Sequence, residues 1–135
     1  MKVPFVDLSS QYHSLRQEVN EAIEDVIASN QLILGKEVRL FEAEFADFCQ
    51  TKYAIGVDTG TSALELALRA MGVEPGDEVI TPANTFIATV LAILAAGARP
   101  VLVDIDPLTY NISVSGLAQA ITEKTRVILP VHLYR

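Results

Sequence analysis

The feature that most constrains the fold is an alternation, from residue 53 onward, between short apolar runs and amphipathic stretches of helical length. The pattern predicts strands at residues 53–57, 78–81, 101–104 and 126–131. It predicts helices between them at residues 61–71, 85–96 and 113–121. Helices of this length join parallel strands through right-handed crossovers. We therefore expect an α/β fold with a parallel sheet.

The first fifty residues carry a helical pattern instead. Apolar residues at spacings of three and four predict one helix over residues 12–29 and a second over residues 36–48. Core packing is the expected role of both apolar stripes, and Cys49 is expected to be half-buried and inert. The predicted organisation is an N-terminal helical segment, residues 1–50, followed by an α/β domain, residues 51–135.

Composition and charge exclude several classes of function. Ten Lys and Arg against seventeen Asp and Glu give a net charge of −7, which disfavours nucleic acid as a partner. A single cysteine excludes an internal disulfide and a cysteine-based metal cluster. The longest apolar stretch, residues 86–98, is too short to cross a bilayer, and Pro4 and Asp7 interrupt any signal peptide. We expect a cytoplasmic protein without membrane contact.

A candidate phosphate site follows the first predicted strand. Gly60 allows a sharp turn, and Thr61 and Ser62 fall where a helix start presents free N–H groups and hydroxyls. The alternative is plain capping, with Ser62 as the N-cap and Glu65 three residues later. The spacing of Gly56 and Gly60 does not fit a dinucleotide-binding loop, and no Gly-Lys-Ser/Thr segment indicates a Walker loop.

A candidate aromatic platform follows the second predicted strand. Thr85 is a plausible N-cap, and Phe86 begins a helix at the same edge of the sheet as Gly60. A ring there can stack on a flat ligand, whereas the alternative is that Phe86 is the first core residue of its helix.

Other polar residues give weaker signals. Asp104 and Asp106, ahead of Pro107, are interpreted as turn and cap chemistry rather than as a metal site. His132 and Tyr134 follow the last predicted strand and define no site by themselves. The sequence predicts no metal centre, catalytic triad or carboxylate pair.

Taken together, the chain resembles the N-terminal part of the DegT/DnrJ/StrS aminotransferases. The motifs that carry this resemblance follow in the order of that family. They are Val3-Pro-Phe-Val-Asp-Leu with Gln11-Tyr12, Ile33-Leu-Gly35 with Phe41-Glu42, Tyr53-Ala-Ile-Gly-Val, Gly60-Thr-Ser-Ala-Leu, Gly76-Asp-Glu-Val-Ile, Thr85-Phe86-Ile-Ala, Gly97-Ala-x-Pro100 and Val131-His-Leu-Tyr134.

The resemblance implies a fold, a cofactor and a reaction. The fold is an incomplete large domain of a fold-type I aminotransferase, so residues 51–135 become the first part of a cofactor-binding domain. The cofactor is pyridoxal 5'-phosphate, with its phosphate held by Gly60, Thr61 and Ser62 and its ring against Phe86. The reaction moves an amino group from an amino acid to a keto sugar, usually nucleotide-linked, and such enzymes are homodimers.

The sequence departs from the family at two positions, and none of its lysines is predicted at the cofactor site. Ser113 stands where the family often has Asp, and Arg135 where it usually has Gly. The four lysines are all predicted away from the carboxyl ends of strands, so no catalytic lysine is assigned. They are Lys2, Lys36, Lys52 and Lys124.

Because the last predicted strand leaves apolar surface uncovered, we expect either a larger protein or a covering partner. As the N-terminal segment of an enzyme, the chain alone is expected to be inactive and to bind the cofactor weakly. Three alternatives stay open: a sugar dehydratase of the same family with His in place of the lysine, a non-catalytic phosphate- or nucleotide-binding module, and a regulatory remnant without a ligand.

Overall fold

The computed structural model describes residues 4–134, so Lys2, Val3 of the opening motif and Arg135 lie outside the described residues. The chain divides into two compact units, Met1–Gly56 and Val57–Arg135. This spatial division after Gly56 does not define domains, so the predicted domain boundary between residues 50 and 51 stays a prediction.

Two helices make up the described part of the first unit: α1, Ser9–Ser29, and α2, Lys36–Phe48. Asn30 ends α1 in the left-handed conformation, with a φ of 56°, and its amide donates back into the helix. Asparagine tolerates this conformation because its short polar side chain can bond locally. Gly35 precedes α2, and a Cβ there would lie 2.4 Å from the Gln31 carbonyl oxygen, so glycine is required.

The apolar stripes of α1 and α2 are exposed, which corrects the prediction that both pack into a core. No described residue of α1 is buried, and in α2 only Ala46 is. Cys49 is exposed rather than half-buried. The reason is that the described part of this unit offers no third layer to cover the two helices. The exposed stripe residues are Leu15, Val19, Ile23, Ile27, Phe41, Phe45 and Phe48.

Strands and helices alternate in the second unit. Its helices are α3, Gly60–Ala70, α4, Ile87–Ala95, and α5, Val114–Ala120. Its strands are β1, Glu78–Pro82, β2, Arg99–Val103, and β3, Thr125–Ile128. The strands pair in parallel in the order β2-β1-β3. The predicted α/β fold with a parallel sheet is confirmed.

The core of the second unit lies around the central strand. All five residues of β1 are buried, as expected for a parallel strand with a neighbour on each side. Burying each large apolar side chain here contributes roughly 1.5–3 kcal/mol before entropy is counted. The core cluster is Leu68, Val73, Val79, Ile93, Ala96 and Ala98.

A buried carboxylate joins the three strands at their amino ends. Glu78, the first residue of β1, is 4% exposed. Its carboxylate pairs with Arg99 of β2 and accepts a hydrogen bond from Thr122 Oγ1 at 2.8 Å. Its amide donates to the Lys124 carbonyl, beside β3, at 2.8 Å. The bond from Arg99, followed by that from Thr122, lowers the pKa of Glu78 below its ordinary value.

The strand predicted at residues 53–57 is not formed. In the described chain β1 is the neighbour of both other strands, and the segment has no ladder partner of its own. Tyr53 and Ile55 are therefore exposed. The backbone is instead tied to α2, because the Gly56 amide donates to Glu42 Oε1 at 2.7 Å.

Candidate functional site

The predicted phosphate turn lies at the start of α3. Thr59 is the N-cap: its Oγ1 accepts the Ser62 amide at 3.1 Å, and its carbonyl accepts the Ala63 amide at 3.0 Å. The alternative in which Ser62 caps the helix is therefore wrong, since Ser62 already lies inside the first turn. Glu65, its proposed capping partner, instead pairs with Arg69 one turn later, Oε1 to Nε at 2.8 Å.

Two amides of this turn are left free. Thr59 satisfies Ser62 and Ala63, but the Gly60 and Thr61 N–H groups make no hydrogen bond within residues 4–134. At a helix start such donors point outward, and the helix dipole favours a negative charge beside them. A Cβ built on Gly60 would meet no heavy atom within 4 Å. The turn thus offers two donors, and no other part of the described chain crowds the Cβ side of Gly60.

An acidic residue lies next to the same turn. The Ser62 hydroxyl, 3.1 Å from Thr59 Oγ1, also lowers the pKa of the Asp58 carboxyl by hydrogen bonding. Asp58 therefore stays ionised at neutral pH, and its charge opposes an anion at the turn. Neither Thr59 nor Asp58 was predicted as a site residue, although a threonine directly before a helical pattern is a recognised N-cap signal.

Phe86 occupies the N-cap position of α4, with extended backbone and no side-chain cap bond. It is 73% exposed, so the alternative that it is the first core residue is wrong. Thr85, predicted as the cap, lies one residue too early, and its hydroxyl pairs with Thr89 Oγ1 at 2.9 Å. The ring is thus accessible for stacking on a flat ligand.

The starts of α3 and α4 face the same way. Arg69, in the last turn of α3, donates through Nη2 to the carbonyl of Ala95, the last residue of α4, so the carboxyl ends of the two packed helices meet. Pro82 ends β1 shortly before Phe86. Both helix starts therefore lie toward the carboxyl end of the sheet, where ligands of parallel α/β folds bind.

The four predicted site residues are thus placed in two groups. Gly60, Thr61 and Ser62 share one helical turn, and Phe86 lies at the start of the neighbouring helix. No hydrogen bond joins the two groups in the described part of the chain.

The acidic pair after β2 forms a turn. Asp106 Oδ1 accepts the amides of Leu108 at 3.0 Å and Thr109 at 2.8 Å, and these bonds, that from Thr109 first, lower its pKa. Asp104 Oδ1 accepts the amide of Ile105 at 2.8 Å. Among residues 4–134 no group of three His, Cys, Asp or Glu side chains is arranged to hold a metal ion.

The remaining residues singled out from the sequence make local aromatic contacts or are exposed. His132 and Tyr134 follow β3 and are exposed, and the Tyr134 ring packs edge-on against Tyr110 with centroids 5.5 Å apart. Lys52 lies over the Tyr53 ring at 5.1 Å.

Within the described residues, none of the helices combines the length and apolar character needed to span a membrane.

A family profile and individual relatives match this chain over nearly its whole length. The sequence profile of the DegT/DnrJ/EryC1/StrS aminotransferase family matches residues 13–134. A pleiotropic regulatory protein of Geobacillus stearothermophilus is 49% identical, covering 99% of this chain and 36% of that protein. The dTDP-3-amino-3,4,6-trideoxy-alpha-D-glucose transaminase of Streptomyces venezuelae is 48% identical, covering 98% of this chain and 35% of the enzyme. The chain spans about a third of the length of these relatives.

A solved structure extends the agreement to three dimensions. NtdA from Bacillus subtilis, with bound cofactor PMP, matches with a TM-score of 0.91 at 37% identity, over 98% of this chain and 31% of that one. The match confirms the predicted fold class, an incomplete large domain of a fold-type I aminotransferase.

Proposed function

The chain belongs to the DegT/DnrJ/EryC1/StrS aminotransferase family, and we propose that it supplies part of the cofactor site of a sugar aminotransferase. The whole enzyme would move an amino group from an amino acid to a nucleotide-linked keto sugar by means of pyridoxal phosphate. The transaminase of Streptomyces venezuelae, 48% identical to this chain, supports that substrate class.

The observation that carries the proposal is the pair of unpartnered amides at the start of α3. A phosphate needs several hydrogen-bond donors and a favourable field, and the Gly60 and Thr61 N–H groups at a helix start provide both. The Thr61 hydroxyl adds a further donor, and the Ser62 hydroxyl would add another only by turning away from Thr59 Oγ1. No other part of the described chain crowds the Cβ side of Gly60, which supports the approach of a ligand to this turn. These residues fit the phosphate of the cofactor.

Phe86 is proposed to hold the flat part of the cofactor. Its ring is 73% exposed at the start of α4 and makes no cap bond, so it is free to stack on a pyridine ring. Asp58 works in the opposite direction, because its ionised carboxylate repels the phosphate and weakens binding.

The proposed part of this chain in the reaction is binding and orientation. Bound pyridoxal phosphate supplies the electron-accepting chemistry of amino-group transfer. Transamination also needs a lysine, and Lys36, Lys52 and Lys124 lie at a helix start, beside Tyr53 and before β3. We therefore propose that the chain alone is inactive and that the catalytic lysine belongs to the remainder of the enzyme.

A homodimer is the proposed assembly of the whole enzyme. The exposed apolar stripes of α1 and α2 support this proposal, since large uncovered apolar patches mark association surfaces. Sedimentation of the chain across a range of concentrations tests it, with a single monomeric species as the contrary result.

The binding proposal is tested by calorimetric titration with inorganic phosphate, pyridoxal phosphate and a nucleoside monophosphate. We expect pyridoxal phosphate to bind more tightly than phosphate, because its ring also contacts Phe86. A nucleoside monophosphate that binds as tightly as pyridoxal phosphate would instead support the nucleotide-binding module.

A double variant, Thr61→Ala with Ser62→Ala, separates ligand binding from capping. We expect both phosphate ligands to lose about tenfold in affinity, because the Ser62 hydroxyl is already paired and the loss of the Thr61 hydroxyl removes one hydrogen bond to a charged group. Ser115→Ala is the matched control, because Ser115 Oγ pairs with Ser113 Oγ at 3.1 Å at the start of α5, as Ser62 pairs with Thr59. Unchanged affinity in the double variant would contradict the proposal.

A further inference from the structure

The start of α4 has no side-chain cap, unlike the starts of the other two helices of its unit. Thr59 and Ser113 cap α3 and α5 through their hydroxyls. At the same position of α4 stands Phe86, which makes no cap bond. Giving up a cap costs about 1 kcal/mol, and the exposed ring recovers no burial. A residue that lowers local stability without a compensating local contact is typical of a functional position.

A pair of threonine hydroxyls braces the backbone on both sides of Phe86. Thr85 Oγ1 and Thr89 Oγ1 lie 2.9 Å apart, and Thr89 is 6% exposed. The Thr89 amide also donates to the Phe86 carbonyl at 3.1 Å. Thr89 thus bonds the residue before Phe86 through its side chain and Phe86 itself through its backbone.

The segment leading into Phe86 is fixed from the sheet side as well. The Ala83 amide, directly after β1, donates to the Val103 carbonyl at the end of β2, at 2.8 Å. Thr81, in β1, bonds the Leu129 carbonyl through its hydroxyl at 2.9 Å. The backbone between β1 and α4 is therefore held at each end, and the hydroxyl pair is the part of this brace closest to the ring.

We propose that Thr85 and Thr89 are positioning residues for Phe86: their hydroxyl pair replaces a cap and holds the helix entry so that the ring projects as a platform. This inference rests on the proposed cofactor function and deepens it. The brace acts on the ring alone, because the phosphate turn belongs to α3. Loss of the pair therefore weakens binding of a ring-bearing phosphate and leaves binding of inorganic phosphate unchanged.

Two variants at residue 89 test the brace. Thr89→Val removes the hydroxyl and keeps the branched shape, and Thr89→Ser keeps the hydroxyl. We expect Thr89→Val to lower the affinity of the chain for pyridoxal phosphate about fivefold, a fraction of a stacking energy. Affinity for inorganic phosphate stays at its wild-type value, and Thr89→Ser restores the cofactor affinity. Equal losses for the two ligands, or no loss, would overturn the inference.

A second measurement needs no cofactor. The chain contains no tryptophan, so Phe86→Trp places a single fluorescent indole at the platform. We expect the fluorescence anisotropy of this indole to fall when Thr89→Val is added and to recover with Thr89→Ser, while circular dichroism confirms that the fold is intact. Unchanged anisotropy refutes the brace. If the wild-type chain binds no pyridoxal phosphate, the proposed function fails, and the anisotropy still decides on the brace.

Discussion

At the amino ends of the strands, polar groups of the unit Val57–Arg135 are paired with one another, whereas the starts of α3 and α4 present two amides without a partner in the described residues and one exposed aromatic ring. Glu78 is buried and joined to Arg99, Thr122 and Lys124. On the other side, two amides of α3 have no partner within residues 4–134, and Phe86 is 73% exposed. One sheet thus carries a closed end and an open end.

The difference indicates how stability and binding are divided in this unit. A buried carboxylate with ionic and hydroxyl partners is strongly coupled to folding, because its removal leaves the other groups unpaired. Unpartnered amides and an exposed ring add little to folding, but they are available to a ligand. Substitutions at the closed end should therefore change stability, and substitutions at the open end should change binding.

The largest effect is expected for Glu78→Gln, which removes the charge at the closed end. We expect the thermal midpoint at neutral pH to fall by several degrees while affinity for pyridoxal phosphate is unchanged. Glu123→Gln, in the exposed turn beside the same cluster, is the control and leaves the midpoint in place. A large loss of affinity for pyridoxal phosphate with little change in the thermal midpoint would contradict the assignment of stability to this end and of binding to the other.

Acid unfolding tests the role of the Glu78 charge separately. The pKa of Glu78 is lower in the folded chain than its ordinary value of 4.5. Its contribution to stability is therefore fully present above that value and is lost as pH falls through the lowered pKa. Melting curves of the wild-type chain and Glu78→Gln should converge with acidification, and a constant difference from pH 7 downward would contradict the role of the charge.

The next effect is expected for Phe86→Ala at the open end. Loss of a stacked ring should weaken pyridoxal phosphate binding about tenfold, while inorganic phosphate binding and the melting curve stay the same. Leu91→Ala, on the same helix and 50% exposed, is the matched control. A lowered melting temperature in Phe86→Ala alone would mean that the ring serves the fold.

The smallest effect is expected for Asp58→Asn. Removing this charge should raise the affinity for inorganic phosphate about threefold at low salt, and the gain should disappear at high salt because the repulsion is screened. Asp106→Asn, also a carboxyl with lowered pKa but in a different turn, should leave phosphate affinity unchanged. A salt-independent gain would point to a change in turn geometry.

Local sequence patterns predicted the elements of this chain well. The helix at 36–48 has its predicted bounds, and the strand predicted at 78–81 extends by one residue to Pro82. These elements are specified by periodicity, by flanking glycine and proline, and by apolar runs of fixed length, all of which are local properties. The parallel orientation of the strands followed from the helical crossovers, whereas their order in the sheet was not predicted.

Features that depend on distant partners could not be predicted in this way. The segment at 53–57 has strand composition, but a strand exists only where another strand pairs with it. The stripes of α1 and α2, including Ile23 and Phe41, have the spacing of core residues, yet burial needs a covering layer. Periodicity identifies the face that seeks burial and does not say what covers it.

The sequence predicted which residues form the candidate site, but it did not predict which residues cap the helices around it. Gly60, Thr61, Ser62 and Phe86 were singled out from turn chemistry and family resemblance. Which residue caps each helix was missed, because Thr59, Ser62 and Thr85 are all acceptable caps and the choice depends on where the helical backbone begins. Asp58 was missed because its effect depends on the folded turn, in which the Ser62 hydroxyl lowers the pKa of its carboxyl.

Main-chain amides at the start of α3 are proposed to hold the anionic group of the cofactor. The most direct test is to titrate the ¹⁵N-labelled chain with inorganic phosphate and then with pyridoxal phosphate, following each amide by NMR. We expect the Gly60 and Thr61 amide signals to shift most with both ligands. Saturable binding that leaves those two signals unmoved would contradict it.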